Sequence, residues 1–319
     1  MNNLKKIGLT ALAGSLVATS VAYAGELAVT GSAGMNVKNY GNSQVGKSVS
    51  MANSVYFKGG GETDAGLNVN VSFELDPGAA NNSSNGFDNH FVSVGNDTFG
   101  TVTLHGHGGA NSASALDTTA AGDLWDNTLI NTDAAVSTRM APLAATSGNN
   151  LLVYSLPTLV DGLSLATSYQ AVTTTGNGSS AFGGTYTGVE GLSVSYGKGE
   201  TDGAKSVKGD QTIMKASYAY GSFTVGISEN DFDHTTSTID QEVSSFSLAY
   251  TVSDEISVTY GEETIERTGK GTDIEVNGIS ASYTSGGMTA SYAIVEAENV
   301  NHVSGTDYDV WKIGLSFAF

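Results

Sequence analysis

Trp311-Lys312-Ile313-Gly314-Leu315-Ser316-Phe317-Ala318-Phe319 has a large apolar side chain at every odd position and Lys, Gly, Ser or Ala at every even one. Successive side chains of an extended chain point to opposite sides, so this stretch reads as a strand with one oily face and one wet face. Leu67 to Leu75 repeats the pattern without a break, as Leu-Asn-Val-Asn-Val-Ser-Phe-Glu-Leu. So do Leu192, Val194 and Tyr196; Phe223, Val225 and Ile227; Phe246, Leu248, Tyr250 and Val252; Ile256, Val258 and Tyr260; and Met288, Ala290, Tyr292 and Ile294. No segment of comparable strength has a helical period, and helix is expected only as short pieces inside long loops.

Turn signals divide these runs. Short Gly-, Asp- or Ser-rich connections fall near Thr63-Asp64, Asn96-Asp97, Asp161-Gly162, Glu190-Gly191, Gly221-Ser222, Ser253-Asp254 and Gly286-Gly287. From the third onward they recur every 28 to 33 residues, with two strands and one longer polar loop in each interval. Those loops are read as 173–180, 201–210, 231–241, 267–272 and 298–307. Short turns at one end and long loops at the other give sixteen antiparallel strands. One interval breaks the rhythm: Gly108 to Gly148 shows no sustained alternation, and an insertion of that length in a compact fold is usually functional.

Composition narrows the function. The 319 residues include 41 Gly, 3 Pro and no Cys, with 32 acidic against 13 basic residues and a formal net charge of −19. Absence of Cys excludes disulfides, Cys-based metal sites and thiol chemistry. Strong acidity argues against a nucleic-acid partner, whose phosphates need a basic face. Lys5 and Lys6, the apolar and small-residue run Ile7 to Val21, and Ala22-Tyr23-Ala24 have the form of a secretory signal peptide cut after Ala24. Its removal takes two lysines and no acid, and the remainder, 25–319, contains no run of the roughly 20 apolar residues that a spanning helix needs.

Alternation alone does not say which solvent meets the apolar face. In a soluble sandwich the oily faces pack on each other; in an outer-membrane barrel they meet lipid and the polar faces enclose water. Three features favour the barrel. The runs approach the roughly 9–11 residues that cross a bilayer at a tilt. The other face is built of Ser, Thr, Asn, Gly and Ala. Aromatics cluster at strand ends, as at Tyr218, Tyr220 and Phe223, and at Tyr250 and Tyr260, which suits an interfacial girdle. The fold class expected is therefore all-β, a transmembrane antiparallel β-barrel with short periplasmic turns and long extracellular loops. A secreted soluble β-rich surface or adhesion protein is the alternative.

From Glu26 to Phe319 the chain resembles the Gram-negative porins, especially the alphaproteobacterial kind. The residues that carry the resemblance are the opening strand Leu27 to Lys38; the hairpin Phe91 to Leu104, which contains Gly95-Asn96-Asp97-Thr98-Phe99-Gly100-Thr101-Val102; Asn150 to Tyr154 followed by Pro157 and Gly162; and the terminal Ser316-Phe317-Ala318-Phe319. The resemblance implies a homotrimer in the outer membrane of a Gram-negative bacterium. It also implies a third loop folded into the lumen, and a passive channel for small hydrophilic solutes and ions. The family often continues this hairpin with Gly-Arg, where the present chain has His105-Gly106-His107, and only Arg139 and Arg267 occur in the whole sequence.

Residues for the passage follow. The acids Asp117, Asp123, Asp126 and Asp133 lie in the long loop, with Trp125 and Arg139 among them; if the loop folds inward, they face a narrow aqueous path whose low-dielectric walls amplify their field. Parity places Lys38, Lys58, His105, His107 and Lys215 with neighbouring Ser, Thr and Asn on the inner face, where with Arg139 they would oppose those acids. His105 and His107 are lumen-lining imidazoles with no third ligand to make a metal site. Acid pairs such as Asp231 with Asp233, or Glu262 with Glu263, could collect Ca²⁺ loosely at a loop surface; no other cofactor is expected. No nucleophile elbow, zinc-protease motif or phosphate loop occurs, which argues against an enzyme, a barrel lipid hydrolase included. Net acidity predicts a preference for cations over anions.

Overall fold

A computed structural model describes residues 27–40, 47–76, 87–124, 148–171, 178–201, 209–235 and 240–319. The leader read at 1–24 lies outside them, as do Trp125, Asp126, Asp133 and Arg139. Sixteen strands follow one another. The first eight are β1 (Ala28–Tyr40), β2 (Lys47–Glu62), β3 (Asn68–Leu75), β4 (His90–Asn96), β5 (Gly100–His107), β6 (Leu151–Ser155), β7 (Leu163–Gln170) and β8 (Ser179–Tyr186). The second eight are β9 (Leu192–Thr201), β10 (Gly209–Tyr220), β11 (Phe223–His234), β12 (Gln241–Thr251), β13 (Ile256–Arg267), β14 (Ile274–Ser285), β15 (Met288–Glu298) and β16 (Tyr308–Ala318). Each pairs antiparallel with its neighbours, and β1 pairs with β16, so the sheet closes on itself. All seven expected short turns join strands, and the breaks between hairpins fall where the long loops were read.

Closure is tight at the chain end. Gly31 N donates to Phe319 O over 2.8 Å and Phe319 N donates to Gly31 O over 3.0 Å, extending the β1–β16 ladder to the last residue. A side chain at position 31 would collide with the Phe319 ring and with Ser54 O, each within 2.7 Å of its Cβ. Gly fits here because backbone and ring approach so closely.

The apolar face points outward. Val49, Met51, Leu104, Met214, Ile227, Leu248 and Ile313 are all exposed on the outside of the barrel, Met51 by 69%. A soluble fold would not leave a continuous belt of that kind in water. Tyr218, Tyr220 and Phe223 stand exposed at the turn end, and the Phe223 ring lies 4.8 Å from that of Tyr250.

Two expectations need correction. The inner face is not uniformly polar: Val243, Ile265, Ile274, Val276, Val295 and Val310 face inward at the loop end of β12–β16 and are buried with Tyr40 and Val300, with half-buried Leu124 packed against them. Beneath the packed loops this part of the wall meets side chains instead of water, which makes apolar residues favourable there. The outer face is likewise not apolar to its end. In β11 the outward series runs Phe223, Val225, Ile227 and then Glu229, Asp231, Asp233. Those last two acids were expected in a loop; the strand continues through them because it outruns the hydrocarbon, and its outward face beyond that point meets headgroups and water.

Orientation yields a direct test. Replacing outward Leu248 by Arg should destabilise the folded barrel in lipid by roughly 2–4 kcal/mol if it sits at mid-membrane, whereas Arg at neighbouring inward Ala249 should change stability far less. Urea titration of refolded protein in vesicles measures both, and equal losses would contradict the assigned faces.

Candidate functional site

The long loop after β5 is shaped by its own short-range hydrogen bonds. At its neck Gly109 N donates to Gly148 O over 2.9 Å. Gly148 has φ +69, and a Cβ there would stand 2.0 Å from Gly109 O, so a side chain is excluded twice over. Asn111 Oδ1 accepts from Ala113 N at 2.9 Å and Ser114 N at 2.8 Å, opening a single 3-10 turn at Ser114–Leu116. Thr119 N donates to Asp123 Oδ1 at 2.8 Å while Asp123 N donates to Thr119 Oγ1 at 2.9 Å, a reciprocal clasp.

The shaped loop lies along the inner wall, fastened strand by strand. Ser112 N donates to Ser168 Oγ of β7 over 2.9 Å, and Ser114 Oγ to Gln211 Oε1 of β10 over 3.1 Å. Lys215 Nζ donates to Thr118 O over 2.8 Å, and Asn230 Nδ2 to Asp117 O. Ala120 N reaches Ser228 Oγ of β11 at 2.9 Å and Ser245 Oγ of β12 at 2.8 Å. Glu263 of β13, 3% exposed, accepts from Thr119 Oγ1 and, at 2.9 Å, from Leu124 N. A carboxylate this buried is held by being hydrogen-bonded.

Asp117 and Asp123 therefore stand inside the barrel, close to Lys215. Burial first, then the Asp123 carboxylate, pushes Asp117 up to about 6, against the opposing pull of the Gln211 hydrogen bond and the Lys215 ammonium. Lys215 faces inward as parity required, but it lies on the loop's own side as an anchor instead of across the lumen. Lys58 is inward and exposed, with Nζ 5.2 Å from the Tyr56 ring centroid. Lys38 is buried and pairs across the β1–β16 ladder with Lys312. His105 packs 5.6 Å from the Phe91 ring, and His107 Nδ1 lies 3.5 Å from Asp88 Oδ1. No group of three or more His, Asp or Glu able to hold a metal occurs among the described residues. Glu262 and Glu263 point to opposite faces of β13 and cannot chelate together.

The anchors Gln211, Asn230, Ser228 and Ser245 were not singled out from sequence, nor was Lys312, and Glu263 reads there only as half of an acidic pair with Glu262. Parity does place them on the inner face, yet nothing local marks which inner residues meet the loop. The placement of charge matters more. Inward strand charges are few and of both signs, Lys38, Lys58, Lys215, Arg267 and Lys312 against Glu62, Glu74 and Glu263, whereas every strand from β9 to β16 carries at least one carboxylate outward at its loop end.

A family model described as Gram-negative porin matches residues 8–297. Among solved structures, an anion-selective porin from Comamonas acidovorans is 15% identical, covering 92% of this chain and 99% of that one with a TM-score of 0.70. A triple mutant of Rhodopseudomonas blastica porin is 15% identical over 92% and 100% of the two chains, TM-score 0.66. OmpT of Vibrio cholerae, with its loop L8 deleted, is 13% identical over 92% and 99%, TM-score 0.65. At these identities the likeness to solved structures is one of fold. The comparison with curated proteins found no match.

Because the Asp117 carboxyl holds its proton more tightly when docked than the usual value of 3.8, docking gains stability as pH falls through about 6 and loses it as pH rises. Hydrogen exchange at the amides of residues 112–124 should be slower at pH 5 than at pH 7.5 after correction for intrinsic rates, and Asp117→Asn should remove that difference. Glu263→Ala should speed exchange at both pH values, since losing the acceptor for Thr119 and Leu124 costs about 1–3 kcal/mol.

Proposed function

The chain belongs to the Gram-negative porin family and is an outer-membrane β-barrel channel, and on that premise we propose that residues 109–124 form the shelf that decides which small hydrophilic solutes diffuse through. Docking of this segment across the inner wall from β7 to β13 carries the reading, because a loop fastened at so many points narrows the passage permanently. Porins are non-enzymatic channels, so the lipid-hydrolase alternative falls away, as does the soluble secreted one.

The cation preference expected from net charge loses its basis. A passing ion responds to charges lining the narrow path, not to screened carboxylates on the outside of the wall. The described inner face is close to balanced, and the comparable fold from Comamonas acidovorans is described as anion-selective, so the fold dictates neither sign. We assign weak selectivity, set locally by Asp117 and Asp123 on the loop side and by Lys58, Lys312 and His105 on the wall beyond, with His107 at the bulged edge of β5. The further loop residues Asp126, Asp133 and Arg139, and buried Lys38, belong to the same proposed ring.

Self-association as a trimer is supported by where outward charge is missing. The described outer faces of β1 to β5 carry no acidic residue and, as basic ones, only Lys47 and the cross-strand pair His90 and His107, in contrast to the acidic rim of β9–β16. Charge-poor apolar surface is what a protomer interface within a membrane requires. We assign 1–24 as a leader removed on export, and any Ca²⁺ as loosely held at the acidic rim.

Reconstituted protein in a KCl gradient should give a reversal potential of a few millivolts; tens of millivolts of cationic sign would restore control by net charge. Liposome swelling should show a rate falling with solute size and no saturation, and a saturable response to one solute would identify a substrate-specific pore instead.

A further inference from the structure

Glycines at 183, 197, 226, 261 and 278 stand in the interiors of β8, β9, β11, β13 and β14, all on the inner face. None has positive φ among the described glycines that do. Backbone conformation therefore does not call for Gly at these positions, and Gly within a strand weakens it by roughly 0.5–1 kcal/mol. What they share is a neighbour. A Cβ at Gly183 would stand 2.0 Å from Ser112 O, and at Gly197 it would stand 3.0 Å from Ala113 Cα. At Gly261 it would lie 2.8 Å from Ala121 Cβ; at Gly226 it would lie 3.3 Å from Ala120 Cβ and 2.8 Å from Ser247 Oγ of the wall, and at Gly278 3.0 Å from both Leu124 Cδ2 and Val295 Cγ2. Going round the wall from β8 to β14, the glycines meet the loop in its own chain order. Together they form a trough, floored by backbone, in which a segment presenting mainly alanines lies flush.

We propose that these wall glycines, not the loop alone, set how far the shelf projects into the passage and hence the size limit of the pore. The hydrogen-bonding anchors fix the loop's position along the wall, while the glycines fix its height above it. This rests on the reading of residues 109–124 as the shelf. Carbon atoms settle near 3.5–4.0 Å apart, so a methyl group at 261 forces Ala121 up by about 1 Å toward the axis. The loop is not released, because Glu263, Ser228 and Ser245 hold it on either side.

The test is single-channel conductance and the liposome-swelling size limit of Gly261→Ala, alone and with Ala121→Gly. A shelf raised by about 1 Å should lower conductance roughly 1.2- to 1.5-fold and shift the size limit downward, and Ala121→Gly, which removes the opposing methyl, should restore both. Gly34→Ala, on the inner face of β1 where the nearest atom would be 3.5 Å away, should leave both unchanged. An unchanged conductance in Gly261→Ala, a fall that Ala121→Gly does not reverse, or a rise would each overturn the proposal. Heat-modified migration on gels checks folding; if Gly261→Ala does not fold, Gly197→Ala, whose Cβ would meet only Ala113 of the loop, 3.0 Å from its Cα, carries the same test at a milder contact. Deleting residues 111–124 separates the two readings: unchanged conductance after deletion sinks the shelf itself, whereas a rise after deletion with an inert Gly261→Ala sinks only the role of the glycines.

Discussion

A segment crossing hydrocarbon has no water to satisfy its peptide groups, so every N–H and C=O must find a partner within the protein. Sixteen strands meet that demand only by closing, and the β1–β16 ladder, carried to Phe319 by its bonds to Gly31, is where closure is completed. Inside and outside follow from it. Once the sheet is a cylinder, side-chain alternation becomes a division between lipid and lumen, and a loop that enters the cylinder has nowhere to lie but against the inner wall.

The division changes along each strand. Near the turns the outside is apolar and aromatic and the inside small and polar. Toward the loops, in β11 through β15, carboxylates take the outer positions, and in β12 through β15 Val, Ile and Ala take inner ones beneath packed loop residues. No bulge or register slip accompanies the change. The strand stays straight while its surroundings invert: lipid gives way to headgroups outside, and water gives way to packed side chains inside. Much of the chain's acidity is spent on that outer rim, which is why formal charge is a poor guide to what an ion meets in the passage.

Within the barrel the third loop is held by two kinds of contact with different consequences. Hydrogen bonds to Ser168, Gln211, Lys215, Asn230, Ser228, Ser245 and Glu263 are directional and fix registration. Steric contacts at the glycines are not directional, and they fix distance. Asp117, with its proton affinity raised by burial, contributes a third and adjustable element at the point where loop and wall meet.

Period-two alternation, evenly spaced turns and one irregular interval were enough to give strand number, pairing sense, the outward apolar face and the place of the inserted loop, because those depend on the local geometry of an extended chain and on a single boundary condition, the bilayer. Inner-face parity likewise placed Lys58, His105 and Lys215 before any coordinates, whereas a bulge at the end of β5 breaks the alternation and sets His107 opposite outward His90. Which inner residues meet the loop was not legible: Glu263 looks like half of an acidic pair with Glu262, and Gly261 like a weak point in a strand. Only the folded barrel brings residues 112–124 against hydrogen-bonding partners 56 to 144 residues further along the chain, and such contacts, made between surfaces that share no local pattern, leave no period in the sequence to read.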